Sequence, residues 1–324
     1  MYRLLKEYLA LQRRTQKIKK EYLSQRAKNC GNVHFYNWWN VEDYQSLWLY
    51  KFVQNAGLLD NTNKHLNFCS LFESRKVLDH VNDGVKIFFS GENLRLPSWA
   101  HYADALLGDN DCQLSLGFDY FEDERYLRFP LWLTYVFEPV LEENMIKQRC
   151  EELRYPKLDH REKFACMIAR ADISGVRTEM YKRLSQVGKV DCPSGLFHND
   201  DSLVQQYADD KISYMRGYLF NICPENSNAY GYCTEKIFEA IAAGCIPIYW
   251  GNYNEPEKDI LNQDAIIFWD KDGANENAIQ KVEELYNNQQ LLLEFLHQPR
   301  LKDGAEEKIV DYFSKLQEKI KILL

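Results

Sequence analysis

Residues 218–252 read YLFNICPENSNAYGYCTEKIFEAIAAGCIPIYWGN, and the order of residue types in this stretch decides the fold. Leu219–Cys223 is an apolar run of strand length. A loop rich in Asn, Pro, Ser and Gly follows, from Pro224 to Cys233. A helix is expected next, capped by Thr234, with Glu235 and Lys236 in its first turn and Gly244 as its stop. Cys245–Trp250 is a second short apolar run, closed by Gly251. The series is strand, loop, helix, strand. A helix start directs its free N–H groups and the positive end of its dipole into the preceding loop. Lys236 adds a full positive charge there, and the arrangement suits a diphosphate. Such units also occur without any ligand, and a first-turn lysine is commonly just solvated. Polar density favours the anion site: Glu225, Asn226, Ser227, Asn228, Tyr230, Tyr232, Thr234, Glu235 and Lys236 crowd into one short segment.

The 324 residues suffice for two domains of ordinary size. Hydrophobic residues make up 45% and aromatics 14%, ample material for two cores. A net charge of −8 argues against a general nucleic-acid binder. The charge is uneven. Residues 1–30 hold nine Lys or Arg against Glu7 and Glu21, a surplus of +7, which leaves −15 for the rest. Such a segment could seek anionic lipid or another acidic partner, or be a solvated helix face or arm. The nine cysteines form no C-x-x-C pair, and Cys166, Cys223 and Cys245 sit in apolar runs as small core residues. This usage fits a reducing compartment. No stretch approaches the roughly 20 apolar residues that cross a bilayer, and no signal-peptide core follows Met1.

Along the chain, residues 1–29 read as a helix on Leu4, Tyr8, Leu11, Ile18 and Tyr22. Strands are expected at Val33–Tyr36, Asn67–Phe72, Val85–Ser90 and Gln113–Gly117, with helices over Asp43–Val53 and Trp99–Leu107. Residues 138–162 lack clear periodicity and are read as the connection between domains. A second α/β series then begins: strand Phe164–Ala169, helix Ser174–Gln186, strand Val187–Asp191, helix Asp201–Arg216, the quoted stretch, strand Ala265–Trp269 and helix Asn275–Asn287. Glu306–Leu324 spaces Ile309, Phe313, Leu316, Ile320 and Leu323 by fours and threes, an amphipathic helix expected to pack on the protein body. The expected fold is α/β, with two Rossmann-like domains, 1–155 and 156–324, facing a cleft. Ligands in such sheets bind at the carboxyl ends of strands.

The run CPENSNAYGYCTEKIFEAIAAGCIPIYWG resembles the donor-binding signature of the α1,3/α1,4-fucosyltransferases, family 10 of the glycosyltransferases. Asn37-Trp38-Trp39, Phe88-Phe89-Ser90-Gly91-Glu92-Asn93, and Leu116-Gly117-Phe118-Asp119 with Arg125–Leu131 resemble further segments of that family, in the family's order. The resemblance implies a GT-B fold and an inverting fucosyltransferase that uses GDP-L-fucose. The implied acceptor is an N-acetyllactosamine-type oligosaccharide or lipid-linked glycan, fucosylated on the GlcNAc 3-hydroxyl to give a Lewis-type product in lipopolysaccharide or capsule. The implied setting is bacterial and cytoplasmic, and the resemblance leaves open peripheral contact at the inner face of the membrane. No metal or other cofactor is expected to be required. The acidic pairs Asp200-Asp201 and Asp209-Asp210 lie in or beside a polar helix and read as solvated.

Carried over residue by residue, the resemblance makes Glu92 the general base, next to Gly91 just past the apolar run Val85–Phe89. Lys236 and Arg177 would meet the donor diphosphate, with Arg170 competing for the second place. Glu235 would accept from donor hydroxyls, or else simply pair with the helix dipole. Asn226 and Tyr232 would touch the donor, or only shape the loop. Trp38, Trp39 and Tyr126, with Tyr120, Arg125 and Arg128, could line a sugar groove, or belong to the core. Two rivals stay open: a GT-B transferase with another nucleotide-sugar donor, and a non-catalytic glycan- or nucleotide-binding relative. The resemblance leaves regiochemistry, acceptor length, oligomeric state and non-essential stimulation by a divalent cation open.

Overall fold

The computed structural model describes the chain apart from residues 1, 40, 41, 61, 104–111, 159 and 160, and residues 2–5 by backbone alone. It divides into two compact units. The first comprises Met1–Phe129, Glu138–Leu141 and Tyr312–Leu324, and the second Pro130–Phe137 and Glu142–Asp311. The chain therefore first changes units at Phe129/Pro130 rather than at residue 155, and its last helix is shared between the two.

In the first unit, helix α1 (Tyr2–Arg26) precedes β1 (Val33–Tyr36), α2 (Trp48–Asn55), β2 (Leu66–Cys69), β3 (Val85–Phe89), β4 (Leu114–Gly117) and β5 (Tyr126–Arg128). The five strands are parallel and lie side by side in chain order. Every residue of all five is buried. Sheets covered on both faces are the setting in which parallel strands occur, and short, nearly continuous apolar runs are their sequence mark.

The second unit contains α3 (Trp132–Val136), α4 (Glu143–Arg154), β6 (Lys163–Cys166), α5 (Val176–Leu184), β7 (Val190–Asp191), α6 (Ser202–Gln205), α7 (Lys211–Met215) and β8 (Tyr218–Ile222). After these come α8 (Glu235–Ala242), β9 (Ile246–Tyr249), β10 (Ile267–Phe268), α9 (Glu276–Asn287), α10 (Gln289–Leu296) and the start of α11 (Ala305–Leu323). Its sheet is also all parallel, in the order β10-β9-β8-β6-β7. The order reverses between β6 and β8. That reversal is the topological switch point, where a crevice opens at the carboxyl ends of the strands.

Further expectations differ. The helix expected over Asp43–Val53 is a 3-10 turn, Tyr44–Ser46, and then α2 after an extended Leu47. Residues 138–162 contain α4, which buries Ile146, Cys150 and Leu153. Three apolar positions among charged neighbours make a stripe too narrow to show as periodicity. The single helix expected over Asp201–Arg216 is two. Ala208 (φ 50°) and Asp209 (φ 66°) are left-handed, and Asp210 starts α7 afresh by accepting from the Ser213 N–H at 3.0 Å. In Trp99–Leu107 only a short 3-10 turn, Ala100–Tyr102, is seen, and the rest lies outside the described residues. The cysteines behave as read: all are free, and every one except Cys30 is buried.

Helix α11 buries Ile309, Phe313, Leu316 and Ile320 completely. In the first unit Phe313 packs edge-on against Trp48 (5.4 Å between ring centroids) and Phe52 (6.0 Å) and also touches Phe129 (6.1 Å). Phe313→Ala should destabilise the first unit by about 3–5 kcal/mol. In urea denaturation the loss should appear as a lower midpoint; an unchanged midpoint would detach this helix from the core described.

Candidate active site

The site is built around a carboxylate whose role the sequence reading missed. Glu225 follows β8 by three residues and is fully buried. Its Oε1 accepts from the Thr234 N–H at 2.7 Å and from the Tyr249 hydroxyl at 3.4 Å. Its Oε2 accepts from the Thr234 hydroxyl at 2.7 Å and from Lys236 Nζ at 3.2 Å. Thr234 stands at the N-cap of α8, as expected. Its hydroxyl is spent on Glu225, however, and no side chain caps the helix. The first turn of α8 thus keeps N–H groups that a ligand can take. Gly251 permits the close approach of Glu225: at φ 143° it lies where a Cβ would stand 2.6 Å from Glu225 Cγ.

Lys236 Nζ also donates to Thr234 Oγ1 at 2.8 Å and lies 3.8 Å from Glu235 Oε1. Burial would pull its ammonium down, but Glu225 and then Glu235 outweigh it and hold the group above its usual value. Lys236 is therefore a held, charged cation. Arg177, the second residue of α5, reaches the same loop. Its guanidinium donates to Asn226 Oδ1 at 2.7 Å, to the Pro224 carbonyl at 3.3 Å and to the Ala171 carbonyl. Burial lowers its pKa, while Glu225, Asp172 and Tyr232 oppose that shift. Arg170, the competing choice, is exposed.

Arg177, Glu235 and Lys236 line one recess, of about 430 Å³ with open solvent included, together with Ala169, Lys211, Asn221, Pro224 and Glu239. Apart from Lys211, at the start of α7, these residues end or follow β6 and β8, so the recess sits at the switch point of the second sheet. Asn226 belongs to it through Arg177. Tyr232 is 1% exposed, a ring packed under the loop rather than on its surface. Two further strands of support come from outside the loop. The Asn252 side chain accepts from the Gly231 N–H at 2.6 Å. Trp132 stacks on Phe238 of α8 at 4.1 Å and 14°.

Glu239 is the other group missed. It lies one turn beyond Glu235, with Lys211 Nζ 3.6 Å away. Burial pushes its carboxyl up to about 7; Lys211 opposes the shift and Glu235 adds to it.

In the first unit, Glu92 is partly buried just beyond the carboxyl end of β3. Ser90 Oγ fixes that turn, donating to the Glu92 carbonyl at 2.9 Å and accepting from the Glu92 N–H at 3.2 Å. At the same edge, beyond β1 and β2, Trp38, Trp39, Tyr44, Phe72, Glu73 and Lys28 line a second recess. Trp39 packs on Phe72 at 5.0 Å. Trp38 is mostly core, 6% exposed, with Phe35 and Phe89 against its faces and edge. Tyr126 is a correction to the groove reading. It is buried inside the first unit, where its hydroxyl accepts from the Asp119 N–H at 2.9 Å. Arg128 is likewise engaged, donating to the Tyr312 hydroxyl at 2.6 Å with its guanidinium 4.3 Å over the Tyr120 ring.

Two outcomes follow. Glu225→Gln removes the charge facing Lys236, a mostly buried ammonium, and should cost about 3 kcal/mol in urea denaturation at neutral pH; an unchanged midpoint would show that the pair does not hold the loop. Glu239 titrates higher in the fold than its ordinary value of 4.5. Its contribution is complete below about pH 4.5 and is lost as pH rises through about 7. Glu239→Gln should therefore be more stable than the parent at pH 8, by up to about 3 kcal/mol, with little difference at pH 4. Parallel melting curves at both pH values would contradict this.

Sequence comparison now gives the arrangement a family. Residues 33–135 match the alpha-(1,3)-fucosyltransferase FucT N-terminal domain, and residues 158–321 match the glycosyltransferase family 10 (fucosyltransferase) C-terminal domain. The chain is 25% identical over 297 residues to an alpha-(1,3)-fucosyltransferase FucT from Helicobacter pylori, covering 81% of this chain and 58% of that protein. It thus spans little more than half the length of that relative. A crystal structure of an alpha1,3-fucosyltransferase superposes with a TM-score of 0.58 at 23% identity, covering 90% of this chain and 92% of the other. One of an alpha1,3-fucosyltransferase with GDP-fucose superposes at 0.55 and 20% identity, covering 88% and 90%. These likenesses agree with the two parallel α/β units. The chain belongs to glycosyltransferase family 10, the fucosyltransferases.

Proposed function

We propose that this protein is an inverting α-1,3-fucosyltransferase. It moves L-fucose from GDP-β-L-fucose to the 3-hydroxyl of GlcNAc in an N-acetyllactosamine-type glycan, in lipopolysaccharide or capsule assembly. One observation carries the reading: at the switch point of the second sheet, the start of α8 has no side-chain cap and stands beside Lys236, with Arg177 lining the same recess. That is a site for a diphosphate. The names of the relatives, an alpha-(1,3)-fucosyltransferase and one crystallised with GDP-fucose, support the donor and the linkage.

In the proposed reaction Glu92 takes the proton from the acceptor hydroxyl. The oxygen attacks the anomeric carbon of fucose as the bond to the diphosphate breaks, which inverts the β donor to an α product. GDP leaves with its new charge met by Lys236, Arg177 and the α8 N–H groups. Glu235, which is 14% exposed, is set to accept from donor hydroxyls. Trp39 and Phe72 offer ring faces for the acceptor sugars, at the same sheet edge as Glu92. The reaction needs no metal, since the protein supplies the cations. Asp200 and Asp210 are otherwise engaged, accepting from Ser202 and Tyr214 and from Ser213 respectively.

The test is transfer of radiolabelled fucose from GDP-L-fucose to N-acetyllactosamine, with and without EDTA. The native protein should form product in both. Glu92→Gln should lose about a thousandfold in kcat, and Lys236→Ala or Arg177→Ala about a hundredfold or more. Full activity in Glu92→Gln would remove it as the base. Failure of the native protein to transfer fucose to this acceptor or to longer lactosamine chains would overturn the acceptor assignment.

A further inference from the structure

Among its described side chains, helix α1 is buried only toward its carboxyl end. Ile18 and Tyr22 are each 8% exposed, and Tyr22 stacks on Tyr36 at 5.6 Å. The Gln25 side chain accepts from the Asn37 N–H at 2.7 Å. From Lys6 to Lys17, by contrast, every side chain is exposed. Tyr8, Leu9 and Leu11 stand 56%, 43% and 60% open. Leu11 lies two turns before Ile18, so the stripe that is core at the docked end runs on into the open. Lys6, Arg13, Lys17 and Lys20, at spacings of seven, four and three, form the other flank.

From Tyr8 to Lys17 every side chain is exposed, and a helical segment of this length that buries so little is marginal in water. An apolar stripe beside a row of cations is the form of a helix that lies in a membrane interface. A nucleic acid would satisfy the cations but not Tyr8 and Leu11, which continue the stripe of Ile18 and Tyr22. The rest of the chain carries −15 against +7 in residues 1–30, so net charge favours this segment as the place where a surface of negative charge is attracted. We propose that α1, from Lys6 to Lys17, docks on an anionic lipid surface, its apolar stripe entering the headgroup boundary and its basic flank facing the phosphates. This reading does not depend on the donor or acceptor assigned above.

The test uses the full chain and vesicles of phosphatidylcholine, alone or mixed equally with phosphatidylglycerol, in a co-sedimentation assay. The protein should sediment with the mixed vesicles only, and high salt should release it. Replacing Arg13, Arg14 and Lys17 together by Gln should lower partitioning about a hundredfold. Leu11→Ser should lower it about tenfold. Both variants should keep the parent melting temperature and its transfer to a soluble acceptor. No binding to mixed vesicles, or equal binding by parent and variants, overturns the proposal. A salt-sensitive dimer that the triple variant abolishes, without vesicle binding, would assign the helix to a second copy instead.

Discussion

The Glu225 carboxylate is the interaction on which the donor side depends. It ties three separate pieces of chain: the end of β8, the start of α8 through Thr234 and Lys236, and β9 through Tyr249. A fully buried carboxylate is costly unless it is paired and hydrogen-bonded. Here the groups that satisfy it are also the groups that shape the site. By drawing the Thr234 hydroxyl away, it leaves the helix start uncapped; by holding Lys236, it fixes a cation beside those N–H groups. Local stability and the proposed anion site rest on the same contacts.

The fold supplies the place for this arrangement. In the second sheet the strand order turns back between β6 and β8. The segments leaving those two strands diverge, and the recess lies between them. Arg177 comes from the helix after β6, and Lys236 from the helix after β8. Neither helix alone would gather two cations. The first sheet, in plain chain order, has no such reversal. Its functional candidates, Glu92 and Trp39, instead follow neighbouring strands at one edge.

Much of this was legible in the residues. Short, continuous apolar runs located most strands, and the ends missed by a few residues. The family motif singled out Lys236 and Asn226 before any geometry, and the resemblance offered Arg177 beside them, with Arg170 competing. What escaped notice depended on tertiary partners. Glu225 looked like one more polar loop residue, because its value lies in Thr234 and Lys236, nine and eleven residues on. Tyr126 looked like a groove aromatic, because nothing in its neighbours in sequence announces the Asp119 N–H that takes its hydroxyl. The α4 stripe was too narrow to register among charges. The break at Ala208-Asp209 came from left-handed backbone, which residue types signal weakly outside Gly and Asn.

The central claim is that the second unit holds a nucleoside diphosphate by its phosphates, at the start of α8. Calorimetric titration of the native protein with GDP, and then with guanosine, tests it most directly. The account predicts that GDP binds at least a hundredfold more tightly than guanosine, because about 3 kcal/mol or more comes from charge-assisted contacts to the phosphates. Equal affinities, or no GDP binding at all, would contradict it.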